Sequence, residues 1–460
     1  MAAVLAVLGL VWAVIPAAAR ARVTVPWPAD GTGASAERQA EGHSWWAVEP
    51  AQQAELQLLS ARLVRRRLSE LTFTTRDVPD TREAVRILLP PHYTTSTRRY
   101  PTLYLLHGCC NGPSPAGARD WTDTGQAGSL TLHSGAIVVM PDGGSGGMWV
   151  DWRDREWRYE SFVIDQLLPW VDVHLRTVPR REARGIAGLS MGGYGAVYLA
   201  ARHPDLFSSS GSFSGIVDLL HPAGSSTFVD PGLSSEQPGR PGGVFGKLAT
   251  HALDWHAHNP GDLAANLGRD VLPFLEYGDP PGDGNETTAS RENHSFQSAL
   301  QAAGIHPTVI RLPFQGHTYT VWNAGLRNYL QNAEAEWRHG LPPPDGFSYT
   351  SAMSDFSAFN YRVHLARPVA EFATLSDVRS GSFRLAGSGR ASVVTAPRYT
   401  PGSDYLVELQ TGTILARADD LGRLTVHGDL GPSAPVDEFA PGDTKRRPRR
   451  TAVTRISPAA

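Results

Sequence analysis

A serine lies between two glycines in the stretch Gly188-Leu189-Ser190-Met191-Gly192, where a short β-prone run, residues 184–188, meets a helix-like run. This spacing is typical of a nucleophile elbow, a sharp strand-to-helix turn that strains the serine backbone and exposes its hydroxyl at the edge of a sheet. The glycines lack the Cβ atoms that would clash in such a turn. The chemistry that these residues predict is acyl transfer through an ester of Ser190.

A histidine with the right placement follows later in the chain. A serine hydroxyl is a poor nucleophile at neutral pH, so it needs a neutral imidazole to accept its proton and a carboxylate to orient that imidazole. In sheet hydrolases the chain order is serine, acid, histidine. His317 lies in a loop between an extended run, residues 308–312, and a helical run, residues 326–337. We predict that His317 is the general acid and base.

The orienting acid is less well defined. It should follow the β-prone run of residues 272–277, because the acid of this chain order lies beyond a late strand. Position along the chain does not choose among the four carboxylates in the loop that we expect there, which are Asp279, Asp283, Glu286 and Glu292.

Two backbone amides should stabilise the oxyanion of the tetrahedral intermediate. We predict that one is the amide of Met191, the residue after the nucleophile. The second should come from a loop after an early strand, and His107-Gly108-Cys109-Cys110 follows the β-prone run of residues 101–106. We assign it to the amide of Cys109, whose side chain then has no catalytic part.

The elements that would position these residues alternate between strand and helix patterns across residues 59–340. Such alternation predicts an α/β domain with a mainly parallel sheet covered on both faces. Alternating runs at residues 65–75 and 84–89 should open the sheet as antiparallel strands. Further strands are expected at residues 101–106, 136–140, 184–188, 208–213, 272–277 and 308–312, and helices at residues 159–175, 191–201, 295–303 and 326–337.

The C-terminal part of the chain has a different sequence pattern. Residues 346–430 carry short alternating runs separated by Gly and Pro turns, which predicts a small β-sandwich. Residues 431–460 are Pro-rich and contain a basic cluster at residues 445–450. We predict that this tail is disordered, with contact to an anionic surface as an alternative role.

The N-terminal residues favour export. Residues 2–15 form an uncharged apolar run, and small residues after Pro16 offer cleavage sites, so residues 1–21 are predicted to be a signal peptide. The basic n-region is missing, which leaves a membrane anchor as the alternative. A variable segment, residues 22–58, should follow. The 460-residue chain has a net charge of −3, and this balance gives no reason to expect a nucleic-acid partner.

Two further groups of residues receive structural interpretations. The only cysteines are Cys109 and Cys110, so no disulfide framework is expected; a tight loop is favoured over a vicinal disulfide. The histidines at positions 251, 256 and 258 lack acidic or cysteine companions, so no zinc site and no cofactor are expected. Their surroundings, residues 215–266, are predicted to form a lid or cleft wall that includes Trp255.

Over residues 71–337 the chain resembles the esterase D and antigen 85 mycolyltransferase family of α/β-hydrolases. This resemblance implies an α/β-hydrolase fold and a serine carboxylesterase or acyltransferase activity. The motifs that carry it are LYLLHG at 103–108, IVVMPDGG at 137–144, Asp151-Trp152, GLSMGGYGA at 188–196, WHAHNP at 255–260 and GHTYTVWN at 316–323.

The resemblance also implies a choice of acid. In the mycolyltransferase branch a catalytic glutamate precedes an R-x-N-x-x-F stretch by a fixed interval. Residues 291–296 match that stretch and point back to Glu286, with Asp283 and Asp279 as alternatives. The branch carries D-G-L-R at the oxyanion loop, where this chain has His107-Gly108-Cys109-Cys110, and that departure argues against trehalose mycolylation.

The expected function is that of a secreted or envelope-associated serine esterase that opens a small-molecule or lipid ester. One alternative is an acyltransferase that delivers the acyl group to a sugar or lipid alcohol, because transfer differs from hydrolysis only in the acceptor. A second is a non-catalytic envelope protein that binds glycan. The β-rich module, which lies outside the resemblance, is a candidate for contact with the cell envelope.

Overall fold

The computed structural model describes residues 56–79, 82–153, 156–222, 243–268, 271–339, 346–443, 447 and 449–459. The predicted signal peptide or anchor, residues 1–21, lies outside the described residues, as does most of the segment 22–58. Within the described ranges, no helix combines the length and the apolar character that a membrane crossing needs.

A nine-stranded sheet forms the frame of the first part of the chain. Its strands are β1 (Gln57–Arg65), β2 (Leu68–Thr74), β3 (Glu83–Leu88), β4 (Thr102–Leu106), β5 (Ile137–Pro141), β6 (Arg184–Leu189), β7 (Ser209–Phe213), β8 (Leu272–Gly278) and β9 (Thr308–Leu312). Their spatial order is β1-β2-β3-β5-β4-β6-β7-β8-β9. The pairs from β1 to β5 are antiparallel, and all pairs from β5 to β9 are parallel. The prediction of a mainly parallel sheet is confirmed.

Both faces of this sheet are covered, as the side chains of β4 show. Leu103 and Leu105 belong to one hydrophobic cluster, whereas Tyr104 and Leu106 belong to another. Successive side chains of a strand point to opposite faces, so the two clusters lie on the two sides of the sheet. A strand buried on both faces reads as a continuous apolar run, which explains why the sequence revealed β4 and β5 clearly.

Helices supply the covering layers. They are α1 (Ala116–Asp123), α2 (Ala127–Leu130), α3 (Tyr159–Ser161), α4 (Leu168–His174), α5 (Met191–Arg202), α6 (Leu248–Ala257), α7 (Pro260–Leu263), α8 (Gly284–Ala302) and α9 (Tyr319–His339). A π-helical segment, Phe162–Leu167, joins α3 to α4, and short 3₁₀ turns lie at Tyr93–Thr95, Arg181–Ala183 and Ala264–Leu267. Leu199 of α5 lies in one core cluster and Leu326 of α9 in the other, so these two helices cover opposite faces.

The parallel register brings four chain segments to one edge of the sheet. Leu106 at the end of β4 pairs with Gly188 of β6, and Leu189 pairs with Phe213 of β7. Phe213 in turn pairs with Glu276 of β8. Parallel strands end at the same edge, so the segments that follow β4, β6, β7 and β8 meet there.

The C-terminal module is all-β. Its strands are β10 (Phe347–Ser351), β11 (Asp355–Ala358), β12 (Tyr361–Ala366), β13 (Ala373–Arg379), β14 (Ser382–Gly387), β15 (Arg390–Val394), β16 (Asp404–Leu409), β17 (Gly412–Arg417), β18 (Thr425–Asp429) and β19 (Arg450–Pro458). They form a six-stranded sheet, β10-β13-β14-β19-β16-β17, and a four-stranded sheet, β11-β12-β15-β18. All neighbouring strands in these two sheets pair antiparallel. One hydrophobic core contains residues of both sheets, including Val363 and Val407. The prediction of an all-β module is confirmed.

The prediction that residues 431–460 form a disordered tail is wrong for its last part. β19 lies inside the six-stranded sheet and pairs with β14 on one side and β16 on the other. Two members of the basic cluster are held by carboxylates: Arg447 pairs with Glu371 at 2.9 Å, and Arg449 pairs with Glu438. The prediction failed because the sequence does not show these pairings: Glu371 lies 76 residues before Arg447, and Glu438 lies in the same segment that looked solvated. The strands of the module therefore extend to residue 458, beyond the predicted limit at 430.

The other predicted limits also shift at strand ends. β1 begins at Gln57, inside the segment predicted as variable.

The module contacts the first part of the chain through hydrogen bonds: the Tyr349 hydroxyl donates to the Arg202 carbonyl at 2.8 Å, and the Phe359 amide donates to Asp205 at 2.9 Å.

Candidate active site

Ser190 sits on the turn between β6 and α5 with φ 51° and ψ −118°. This positive φ is strained for a residue with a side chain. The turn leaves no room for side chains on either flank: a Cβ on Gly188 would lie 2.4 Å from the Gly192 carbonyl oxygen, and one on Gly192 would lie 2.4 Å from the Leu106 carbonyl oxygen. The geometry is the strand-to-helix elbow that the sequence predicted.

His317 bridges the serine and a carboxylate. Its Nε2 lies 2.9 Å from Ser190 Oγ, and its Nδ1 lies 2.9 Å from Glu286 Oε2. Trp322 packs edge-on against the imidazole, with 5.1 Å between the ring centroids. Because the carboxylate accepts the proton on Nδ1, the lone pair of Nε2 faces the serine hydroxyl. The structure thus brings Ser190, His317 and Glu286 together in one hydrogen-bonded line.

Glu286 is fully buried, and both of its carboxylate oxygens accept hydrogen bonds. Its Oε1 accepts hydrogen bonds from the Ser214 hydroxyl at 2.9 Å and from the Gly278 amide at 2.6 Å. These donors come from the segments that end β7 and β8. They hold the carboxylate group in place with its other oxygen aimed at His317.

The segment that carries Glu286 is helical, whereas we expected a loop. α8 begins at Gly284, and Asp283 is its N-cap residue. The Asp283 carboxylate accepts the Glu286 amide at 2.8 Å, which satisfies one of the free donors of the first helical turn. Capping therefore starts the helix early enough to turn the Glu286 side chain back toward the sheet.

The other acidic candidates occupy different environments. Asp283 contacts the main chain of His317, accepting its amide at 2.7 Å, and not its ring. Although burial raises the pKa of Asp283, the amides of Glu286 and His317 lower that pKa by more. Asp279 pairs with His294 at 2.9 Å, away from the imidazole of His317.

Glu292 is buried on α8 at 0% exposure. Burial raises the pKa of Glu292 well above its usual value, which favours a neutral carboxyl group. One of its oxygens accepts the Asp218 amide at 3.3 Å.

The two residues predicted as oxyanion donors flank Ser190. Met191 is the first residue of α5, and the amide of a first helical residue has no partner within its helix. The loop of Cys109 lies on the other side: a Cβ on Gly108 would be 3.4 Å from the Ser190 Cβ. The Met191 amide adjoins Ser190 in the chain, and Gly108, the residue before Cys109, lies close to Ser190. The role of the two amides as oxyanion donors stays a prediction.

His107 supports this loop, and we did not predict that role. Its Nε2 accepts the Gly143 amide at 2.8 Å, so the proton of the neutral imidazole is on Nδ1, which donates to the Gly108 carbonyl at 2.7 Å. That carbonyl and the Cys109 N–H belong to one planar peptide and point in opposite directions. His107 thereby fixes the direction of the Cys109 N–H. The L-H-G stretch was the available signal, but it carries no information about the partner of the ring.

The cysteine side chains beside this loop are free thiols. Burial and contact with the Cys110 thiol raise the pKa of the Cys109 thiol to about 12. A thiol with such a pKa stays protonated at neutral pH and is a weak nucleophile. This agrees with an involvement of Cys109 through its amide alone.

The histidine-rich insertion has structural contacts in its described part. His256 pairs with Asp262 at 3.0 Å, and His258 Nδ1 donates to the Asp254 carbonyl at 2.6 Å. In the ranges that the structure covers, no three His, Cys, Asp or Glu side chains are grouped as a metal ion would need. The Trp255 side chain is fully buried and packs on Phe245, so it does not itself face a cleft. The prediction that residues 215–266 form a lid or cleft wall stays a prediction, and residues 223–242 of it lie outside the described residues.

Comparison with known proteins finds similarity to esterases and to acyltransferases. The model of the protein family described as "Putative esterase" matches residues 78–333. The esterase Rv1288 of Mycobacterium tuberculosis (strain ATCC 25618 / H37Rv) is 33% identical over 254 residues, which are 51% of this chain and 52% of the relative. The chain thus spans about half the length of that curated relative.

A second relative is the diacylglycerol acyltransferase/mycolyltransferase Ag85B of Mycobacterium leprae, which is 30% identical over 251 residues. These residues are 49% of this chain and 73% of the relative. Among solved structures, an S-formylglutathione hydrolase from Agrobacterium tumefaciens matches with a TM-score of 0.49 and 18% identity, covering 61% of this chain and 99% of that one. A ferulic acid esterase matches with a TM-score of 0.44 and 22% identity, covering 59% and 99%.

Proposed function

The chain belongs to the esterase family whose model it matches, and from this premise we propose that it is an exported serine esterase with an α/β-hydrolase fold. It would act on carboxylic esters through an acyl-enzyme. The observation that carries the proposal is the line from Ser190 Oγ through His317 to the buried Glu286, with two contacts of 2.9 Å.

In the first half of the reaction, Ser190 Oγ attacks the ester carbonyl while His317 Nε2 takes the hydroxyl proton. The imidazolium that forms is stabilised by the Glu286 carboxylate at Nδ1. The amides of Met191 and Cys109 donate to the oxyanion of the tetrahedral intermediate. Collapse of the intermediate breaks the bond to the alcohol, which takes the proton from Nε2 and leaves the acyl group on the serine.

In the second half, Nε2 accepts a proton from water as the water oxygen attacks the acyl-enzyme. Collapse of this second intermediate releases the carboxylic acid and returns the proton to Ser190 Oγ. The same steps with an alcohol in place of water transfer the acyl group. Similarity to an acyltransferase supports this second candidate, and the absence of the D-G-L-R pattern at the oxyanion loop leads us to favour hydrolysis.

The proposal is tested with short p-nitrophenyl esters and the variant Ser190→Ala. Loss of the nucleophile should lower kcat by about 10³-fold or more, because only oxyanion stabilisation and binding would remain. A fluorophosphonate probe should label the wild type and not the variant. Equal rates would refute the enzyme proposal and favour a non-catalytic, glycan-binding protein.

Hydrolysis and transfer are separated by adding glycerol or a sugar at a fixed ester concentration. Hydrolysis predicts free acid as the main product at every acceptor concentration, whereas transfer predicts a new ester that grows with the acceptor.

Export is a further part of the proposal and is supported by the apolar run of residues 2–15. Sequencing the N-terminus of the protein recovered from the culture medium would show cleavage near residue 21. Recovery of the intact chain in the membrane fraction would favour the anchor.

A further inference from the structure

The outer face of the six-stranded sheet holds a cavity of about 300 Å³. It lies on three neighbouring strands, β13, β14 and β19, and belongs to the module outside the family match. Three of its lining residues are arginines. The full lining consists of Asp377, Arg379, Ser382, Phe383, Arg384, Val453 and Arg455.

Strand register brings the arginines together on one face. Arg379 pairs with Ser382, Ser382 pairs with Arg455, and Arg384 pairs with Val453. Directly paired residues of antiparallel strands point to the same face, and so do residues two apart on one strand. The three guanidinium groups therefore share one face, within reach of a single small ligand.

A β-bulge shapes the cavity. The register of β13 against β14 shifts between Ser376 and Arg379, and Asp377 within this step has φ 50°. A bulge places an extra residue on one strand and bends it. Here it places Asp377 at the rim, where its carboxylate lies 3.2 Å from Arg384 Nε.

The positive charge of the cavity is only partly neutralised. Arg384 pairs with Asp377, and Arg455 pairs with Glu408 at 4.0 Å. All four side chains are more than half exposed, so water screens both ion pairs and each is weak. Among the described residues, Arg379 has no ion-pair partner. Three arginines with one lining carboxylate repel one another, and a bound anion would relieve that repulsion.

We propose that this cavity binds a phosphate group, carried either by a small sugar phosphate or by a phosphodiester polymer. Guanidinium groups match phosphate oxygens with paired N–H donors, and Ser382 adds a hydroxyl. Three cations suit a group with three or four oxygens and one or two negative charges. Val453, which pairs with Arg384 and so lies on the same face, supplies an apolar wall for the carbon skeleton next to the phosphate.

The sequence indicated contact with an anionic surface as an alternative role of the basic cluster at residues 445–450. The cavity is a better candidate for anion binding than that cluster. Arg447 and Arg449 of that cluster are engaged by Glu371, Asp443 and Glu438 within the module. The cavity arginines have weaker competition from carboxylates. The inference concerns the module alone and does not depend on the proposed esterase activity.

The test measures binding to the full-length protein by isothermal titration calorimetry at constant ionic strength. The probes are glucose 1-phosphate and poly(glycerol phosphate), with polygalacturonate as a carboxylate control. The double variant Arg379→Gln/Arg384→Gln is compared with Arg417→Gln, which changes an exposed arginine of the same sheet outside the cavity. Thermal melting and hydrolysis of a p-nitrophenyl ester show that each variant is folded.

We expect a Kd of about 1 mM or tighter for a phosphate probe, weakened about tenfold or more in the double variant and unchanged in Arg417→Gln. Binding of both phosphate probes identifies the phosphate group as the ligand, and tighter binding of the polymer identifies it as the source. Equal loss in Arg417→Gln, equal binding of polygalacturonate, or no binding of either phosphate probe would each overturn the proposal.

Discussion

Replacing Glu286 by glutamine should disable the site by changing the tautomer of His317. The Gly278 amide, 2.6 Å from Glu286 Oε1, and the Ser214 hydroxyl, 2.9 Å away, both act as donors. They force the carbonyl oxygen of the new amide toward themselves, so its NH₂ group faces His317 Nδ1. The imidazole then carries its proton on Nε2 and has no lone pair for the Ser190 hydroxyl.

The size of the effect follows from this geometry. The reverse amide orientation would set two donors against the Gly278 N–H and leave a buried group unsatisfied, which costs about 1–3 kcal/mol. The wrong tautomer therefore dominates. In a Ser-His-Asp triad, replacing the orienting acid by its amide lowers kcat by about 10⁴-fold, which corresponds to about 5.5 kcal/mol of transition-state stabilisation. We expect a loss of this order in Glu286→Gln.

The matched control is Asp283→Asn. Asp283 accepts the amides of Glu286 and His317, and asparagine keeps its capping ability while losing one acceptor. We expect less than about a tenfold loss of kcat, since a single exposed hydrogen bond contributes about 1 kcal/mol.

The assay is steady-state hydrolysis of a short p-nitrophenyl ester, with ¹⁵N NMR of the imidazole to report its tautomer. In the wild type the proton should be on Nδ1, and in Glu286→Gln on Nε2. A Glu286→Gln enzyme within tenfold of the wild type, combined with a crippled Asp283→Asn, would refute the reasoning and assign the orienting role to Asp283.

Three other predictions concern stability and the oxyanion loop. Burial raises the pKa of Glu276 from 4.5 to about 7, so its ionisation destabilises the fold as pH rises through this interval; Glu276→Gln should match the wild type at pH 5 and exceed it by up to about 3 kcal/mol at pH 8 in urea unfolding. Deleting residues 450–460 should make the module aggregate or lose its cooperative melting transition, because removal of β19 splits the six-stranded sheet and exposes one edge of β14 and one of β16. An unchanged transition would show that the strand is dispensable. His107→Phe should lower kcat by about 10²-fold with a smaller change in KM, because the Cys109 amide loses its orientation. A boronic acid inhibitor should also bind more weakly to this variant. A lower melting temperature with unchanged inhibitor binding would mean that His107 has a structural role only.

The elbow and its histidine were predictable because their signals are local. The two glycines beside Ser190 are required by contacts within a few residues or with the neighbouring β4, and a fully buried β4 is apolar at every position. The placement of His317 after β9 follows from the order of strands in the sheet. These features rest on strand period and turn chemistry, which the sequence shows directly.

The features that the sequence did not show depend on distant partners. Arg447 is held by Glu371, 76 residues earlier, and β19 enters the sheet between two strands that are far from it in sequence. A basic, Pro-rich run looks solvated when such partners are unknown.

The choice of acid shows what the structure adds to chain order. Asp283 and Glu286 are separated by one helical turn, and both contact His317, one through its amide and the other through its ring. Asp283 is open to water, which screens a charge and weakens its interaction with an imidazolium. Glu286 is at 0% exposure and is fixed by two donors from the sheet edge. A carboxylate held in that way would interact strongly with the charge that develops on His317, so burial and donor geometry, rather than sequence position, are the reasons to propose Glu286 as the orienting acid.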